Sequence, residues 1–154
     1  QYTQPWVLTR GGDNRQKKVC KVSRSKYQIY IHLIWTTKNS EPYILPELEP
    51  IIQNIVHEKC RKFNLEVLVI GNTMDHIHLL VSINPNIKIT EFVAEVKGAT
   101  SYYINHEAGK LLYWQDGYGC FSIGRSELIQ VKAYVLNQKK HHHEKSIQKE
   151  FENC

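Results

Sequence analysis

Leu65-Glu66-Val67-Leu68-Val69-Ile70, then Gly71-Asn72, then Asp75-His76-Ile77-His78-Leu79-Leu80-Val81-Ser82-Ile83 is the stretch that decides how this chain folds. Both runs are short, apolar and rich in β-branched residues, which is the signature of buried strands. Gly71-Asn72 supplies turn chemistry between them. The stretch therefore predicts an antiparallel hairpin of Leu65–Ile70 and Asp75–Ile83. Alternate residues of a strand face the same side. His76 and His78 thus share one face, about 6–7 Å apart at Cα, and Ile77 and Leu79 share the other. Two neutral imidazoles so placed can chelate one divalent ion. Taken alone, an H-x-H is two polar residues on a wetted hairpin face. Here it lies inside a strongly apolar run, where a buried imidazole needs a partner. Asp75 and His32 are candidates for that support, although the sequence does not place them.

The flanking pattern extends this hairpin into a fold. Tyr27–Thr36 reads as a strand and Asn39-Ser40-Glu41-Pro42 as a turn. Residues 46–63 carry Leu48, Ile51, Ile52, Ile55, Val56 and Cys60 at helical spacing, with Pro46 suited to the first turn and Asn64 to the stop. Residues 89–104 predict a second helix with Phe92, Val93, Val96 and Tyr103 inward. A loop from Gly109 to Gly117 leads to a short strand, Tyr118–Ile123, and Ser126 opens a last helix running to about His142. The order β-α-β-β-α-β plus one helix is that of an α+β, ferredoxin-like antiparallel sheet with an extra C-terminal helix.

At 154 residues, with 42% hydrophobic and 23% charged side chains, the composition is that of one globular domain with a real core, which excludes a disordered or fibrous chain. No run approaches the roughly 20 apolar residues that would span a bilayer, and no secretory signal opens the sequence. Cys20, Cys60, Cys120 and Cys154 share no zinc-site spacing and read as reduced thiols of a cytoplasmic protein. The net charge of +5 is uneven: residues 1–26 carry seven basic side chains against Asp13, a local +6, which leaves the remainder at −1. Residues 1–26 are therefore expected to be a flexible basic arm, solvated or in contact with phosphates, and residues 27–154 a single domain of nearly neutral charge.

The last helix adds a second piece of chemistry. Tyr134 and Gln138 are four residues apart and share a face, behind an apolar stripe of Leu128, Val131 and Val135. Alone, Tyr134 is ordinary aromatic packing and Gln138 a surface amide. Beside the histidine pair, the amide oxygen becomes a third ligand for a hard cation such as Mg²⁺ or Mn²⁺. The phenol becomes a nucleophile one turn away, weak at its ordinary pKa and in need of activation. Lys139-Lys140-His141-His142-His143 follows and reads either as a solvated helix end or as phosphate contact.

These residues resemble the single-tyrosine HUH transposases of bacterial and archaeal insertion sequences. The resemblance is carried by Trp35-Thr36-Thr37-Lys38, by Asp75-His76-Ile77-His78-Leu79-Leu80-Val81, by Lys97-Gly98-Ala99-Thr100, and by Trp114-Gln115-Asp116-Gly117-Tyr118 leading to Ala133-Tyr134-Val135-Leu136-Asn137-Gln138. It covers about residues 27–150. It implies a prokaryotic, cytoplasmic enzyme that cleaves and rejoins single-stranded DNA at insertion-sequence ends and recognises DNA hairpins. It further implies that His76, His78 and Gln138 hold Mg²⁺ or Mn²⁺ and that Tyr134 attacks the scissile phosphate to give a 5′-phosphotyrosine. A homodimer is implied as well, with the tyrosine helix able to reach the partner's histidines and the segment Gly117–Ser126 as its hinge. Lys38, Lys97 and Arg125, with Lys139 and Lys140, are the basic candidates for DNA contact, and Tyr102, Tyr103 and Trp114 the stacking candidates. Two other readings stay open: a domesticated hairpin-binding module that does not cut, and a metal-dependent phosphodiesterase that uses water.

Overall fold

The computed structural model describes residues 26–138. The expected basic arm, apart from Lys26, and the run beginning at Lys139 lie outside the described residues. Four strands, β1 (Ile29–Thr36), β2 (Glu66–Asn72), β3 (His76–Ile83) and β4 (Gly119–Ile123), form one sheet in the order β2-β3-β1-β4. All three pairings are antiparallel. The helices are α1 (Glu49–Lys62), α2 (Ile89–His106) and α3 (Leu128–Leu136). This is the ferredoxin-like sheet expected from the sequence, with the added helix.

Strand parity divides the molecule into two apolar layers. Leu33 and Trp35 of β1 and Ile77, Leu79 and Val81 of β3 face α1 and α2, where they meet Ile52, Val56, Phe92 and Val96 in the main core. The alternate residues face α3. There Val69, Leu80 and Ile123 pack on Val131 and Val135 in a smaller cluster. β3 is an inner strand, and seven of its eight residues are buried. Cys60 belongs to the main core, and burial pushes its thiol up to about 12, so it is packing rather than a nucleophile.

Several boundaries differ from the sequence reading for identifiable reasons. Gly71-Asn72, expected as the hairpin turn, continues β2, with Gly71 opposite His78 and Asn72 opposite Ile77. The turn is 73–75, closed by the Thr73 amide on the His76 carbonyl at 3.0 Å. Gly71 serves a close approach instead: a Cβ there would lie 2.2 Å from the Val135 carbonyl oxygen of α3. Helix α1 starts at Glu49 rather than Pro46, with the proline of its first turn being Pro50. Asn64 does end it, at φ 55°. Tyr103 points outward, and Thr100 and Ile104 fill the inner positions of α2.

Two glycine substitutions test this account. Gly71→Ala is expected to cost about 1–3 kcal/mol by forcing α3 off β2. Gly98→Ala, in α2 with nothing within 4 Å of the added carbon, is expected to stabilise by about 0.5–1 kcal/mol. Urea midpoints of the two variants should therefore move in opposite directions.

Candidate active site

The α3 face of β3 carries His76 and His78, as its parity requires. Both are buried, His78 completely, and their ring centroids are 4.9 Å apart at 74°. Each ring is held at Nδ1. For His76 the partners are Asp75 Oδ1 at 2.7 Å and Thr73 Oγ1 at 2.9 Å. Thr73 Oγ1 also donates to Asp75 Oδ1 at 2.7 Å. A carboxylate only accepts, so the His76 proton sits on Nδ1 and the lone pair on Nε2. For His78 the partner is His32 Nε2, 2.9 Å from Nδ1. Thr73 was not among the residues singled out from the sequence. Its sequence signal is slight, a hydroxyl two residues before an acid in a turn.

Tyr134 comes to the same place from α3. It is 3% exposed, and its ring stands edge-on to His78, with centroids 6.1 Å apart at 82°. Gly71 makes this possible, because it lets the backbone of α3 settle at Val135 directly over the strand position opposite His78. Gln138 lies two residues beyond α3 and is 1% exposed. It shares a 230 Å³ cleft with Gly71, Asn72, Gln53 and Glu49. His78 and Tyr134, fifty-six positions apart in sequence, thus meet on the α3 face, and Gln138 lines the cleft beside β2.

The chemistry of this donor set fits a small hard cation. With Nδ1 of each ring engaged, Nε2 is the atom that each histidine offers a metal, and a buried side-chain amide supplies an oxygen. Among the described residues no group of three or more His, Cys, Asp or Glu side chains could hold a metal, so a site here depends on an amide completing the histidine pair.

The profile of the family described as IS200-like transposases matches residues 25–138. This chain belongs to that family. It is 26% identical over 119 residues to the ISDra2 transposase TnpA of Deinococcus radiodurans, covering 73% of this chain and 85% of that protein. It is 21% identical over 124 residues to the transposase for insertion sequence element IS200 of Salmonella typhimurium, covering 76% and 81%. Among solved structures it resembles a REP-associated tyrosine transposase bound to a REP hairpin, at TM-score 0.62 and 11% identity over 77% of this chain and 72% of that one. A Deinococcus radiodurans R1 protein matches at TM-score 0.59 and 22% identity over 84% and 98%. These structural likenesses establish the fold.

The structure divides the remaining site residues of this transposase-family chain. Lys97 and Trp114 line a 480 Å³ groove on the α2 side of the sheet, together with Val93, Asp116 and Tyr118. Both already work for the fold. Lys97 Nζ donates to the Gln115 carbonyl at 2.8 Å and to that of Gly117. Trp114 Nε1 donates to Thr100 Oγ1 at 2.9 Å, and its ring packs edge-on to Trp35. Lys38, Tyr102, Tyr103 and Arg125 are exposed. Half of the expected hinge, Gly117–Ser126, is β4 paired to β1. Only 124–127 is left between strand and helix, and Glu127 Oε2 accepts the Gly124 amide there at 2.7 Å.

Because Lys97 ties the 115–117 segment to α2, Lys97→Met should loosen that segment selectively. Hydrogen exchange is expected to speed up about tenfold or more at residues 115–118, the equivalent of one lost hydrogen bond of roughly 1.4 kcal/mol, while β3 amides keep their protection.

Proposed function

We propose that this transposase cleaves and rejoins single-stranded DNA at the ends of its insertion sequence through a 5′-phosphotyrosine link at Tyr134, with DNA hairpins near those ends as its recognition element. The observation that carries this reading is the packing of Tyr134 against His78 on the face that also holds His76. A binding module has no use for a buried phenol beside a histidine pair.

His76, His78 and Gln138 are the residues that would hold Mg²⁺ or Mn²⁺, whose charge would make a bound phosphodiester more electrophilic. The protein side chains do the rest. Asp75, Thr73 and His32 fix the two imidazoles. Tyr134 supplies the attacking oxygen. The phenol proton departs as the oxygen–phosphorus bond forms. The bond from phosphorus to the 3′ oxygen breaks, and that oxygen leaves with the electron pair and takes up a proton. One strand end is then a free 3′-OH and the other is esterified to Tyr134. Attack by a different 3′-OH reverses the sequence and releases the phenol. One ester is exchanged for another, so no nucleotide hydrolysis is needed.

Lys38, Arg125, Tyr102 and Tyr103 are free of the core and suit backbone contact and base stacking. Lys97 and Trp114 contribute by shaping their groove. Lys139 and Lys140, beyond the described residues, extend the same proposal past Gln138. The reading includes a homodimer. Ile129, Ala133 and Leu136 recur at helical spacing on the outer face of α3, with Ile129 82% and Leu136 70% exposed, an apolar stripe that a second chain can cover. It places the protein in the prokaryotic cytoplasm, where such DNA resides.

The test is incubation with single-stranded DNA carrying candidate element ends and Mg²⁺ or Mn²⁺, resolved on a denaturing gel. A covalent protein–DNA band is expected, with cleavage falling on the order of 10³-fold or more in Tyr134→Phe and hairpin affinity kept. Cleavage without a covalent band would establish water as the nucleophile. Hairpin binding with no cleavage in either metal would leave a binding module. Mixing Tyr134→Phe with His78→Ala chains tests the dimer: recovered cleavage means that the tyrosine serves the partner's histidines.

A further inference from the structure

His32 takes no part in the ligand set above, yet it is wholly buried on the same sheet face. It lies in β1 opposite Leu80 of β3 and Phe121 of β4. Its ring stacks on that of His78, with centroids 5.0 Å apart at 20°, and Phe121 closes the other side at 6.4 Å. The stack and the 2.9 Å approach of His32 Nε2 to His78 Nδ1 together leave the His78 ring a single orientation.

We propose that His32 is a positioning residue for His78: its Nε2 accepts the Nδ1–H of His78 and so fixes the tautomer in which His78 Nε2 carries the lone pair. The proposal rests on the reading of His76 and His78 as a cation-binding pair. Two ring nitrogens 2.9 Å apart need one proton between them. Were His32 the donor, the proton of a neutral His78 would sit on Nε2, where it blocks a metal. With His78 the donor, both ligand rings have the same arrangement. Asp75 imposes Nδ1–H on His76 through a carboxylate, and His32 imposes it on His78 through an imidazole. Buried rings favour the neutral form, so His32 then carries its own single proton on Nδ1. Metal-bound histidines are commonly oriented through their second nitrogen, and loss of that partner typically weakens metal binding by about 10–100-fold.

The first measurement is the pair of ring ¹⁵N shifts of His78 in the metal-free wild-type protein. A protonated Nδ1 with a bare Nε2 is expected, and a protonated Nε2 would overturn the proposal. No variant has to fold for this result. The second is Mn²⁺ affinity without DNA, followed by electron paramagnetic resonance, in two substitutions. His32→Phe keeps the stacked ring and removes the acceptor, and is expected to weaken Mn²⁺ by about 10–100-fold in protein that still melts cooperatively. His32→Gln restores an acceptor and is expected to recover most of the loss. Wild-type affinity in a folded His32→Phe protein would sink the positioning role, as would equal loss in both variants. A wild-type protein with His78 protonated at Nδ1 but no affinity for Mn²⁺ would defeat the cation reading while leaving the tautomer assignment in place.

Discussion

Everything distinctive in this molecule follows from placing two histidines on an inner strand that is covered on both faces. β3 has β2 on one side and β1 on the other, helices α1 and α2 beneath, and α3 above. An imidazole there has lost its water and must be repaid in hydrogen bonds. Asp75 and Thr73 do this for His76, and His32 does it for His78. The same constraint fixes the register. A slip of one residue would send Ile77 and Leu79 to the α3 face and drive both histidines into the main core. The apolar packing that holds the sheet together is thereby also what aims the histidines.

The parity of that strand was legible in the sequence because it needs only the neighbours of each residue. So were the two long helices and the location of Tyr134 on a third, since their periodicity is local as well. The features that were misread, or named without being placed, involve contacts that cross the chain. Gly71-Asn72 carries turn chemistry, but glycine also serves where another backbone passes close. No local pattern shows that α3 passes within reach of Gly71. Tyr103 and Ile104 are adjacent apolar positions near the end of a helix, and only the facing sheet decides which of them is inward. The link between His32 and His78 depends on β1 pairing with β3 in one register, across forty-six residues of sequence. Lys97 and Trp114 read as surface chemistry, yet the fold claims their polar atoms to tie down the segment before β4.

The third helix is held differently from the other two. α1 and α2 share one large apolar core. α3 rests on Val69, Leu80 and Ile123 through Val131 and Val135, with Leu128 at the edge of that small cluster, and presents Ile129, Ala133 and Leu136 to solvent. A short helix of this kind gains most of its stability from packing rather than from propensity, so its seat is shallow. Yet it carries Tyr134 on its buried side. The arrangement has a consequence for the proposed chemistry. With α3 seated, the phenol is almost wholly enclosed against His78, protected from water but closed to a phosphate. On the proposed chemistry, a DNA strand would reach it only if α3 shifted, and the turn available for that is 124–127, where Glu127 Oε2 accepts the Gly124 amide. Tight packing at Gly71 would then set where the tyrosine returns, and the small apolar footprint would keep the cost of departure low. Accurate placement and easy release are thus assigned to different contacts of one helix. On the proposed chemistry, this separation would let a fixed pair of histidines work with a tyrosine nucleophile carried on a more shallowly seated helix.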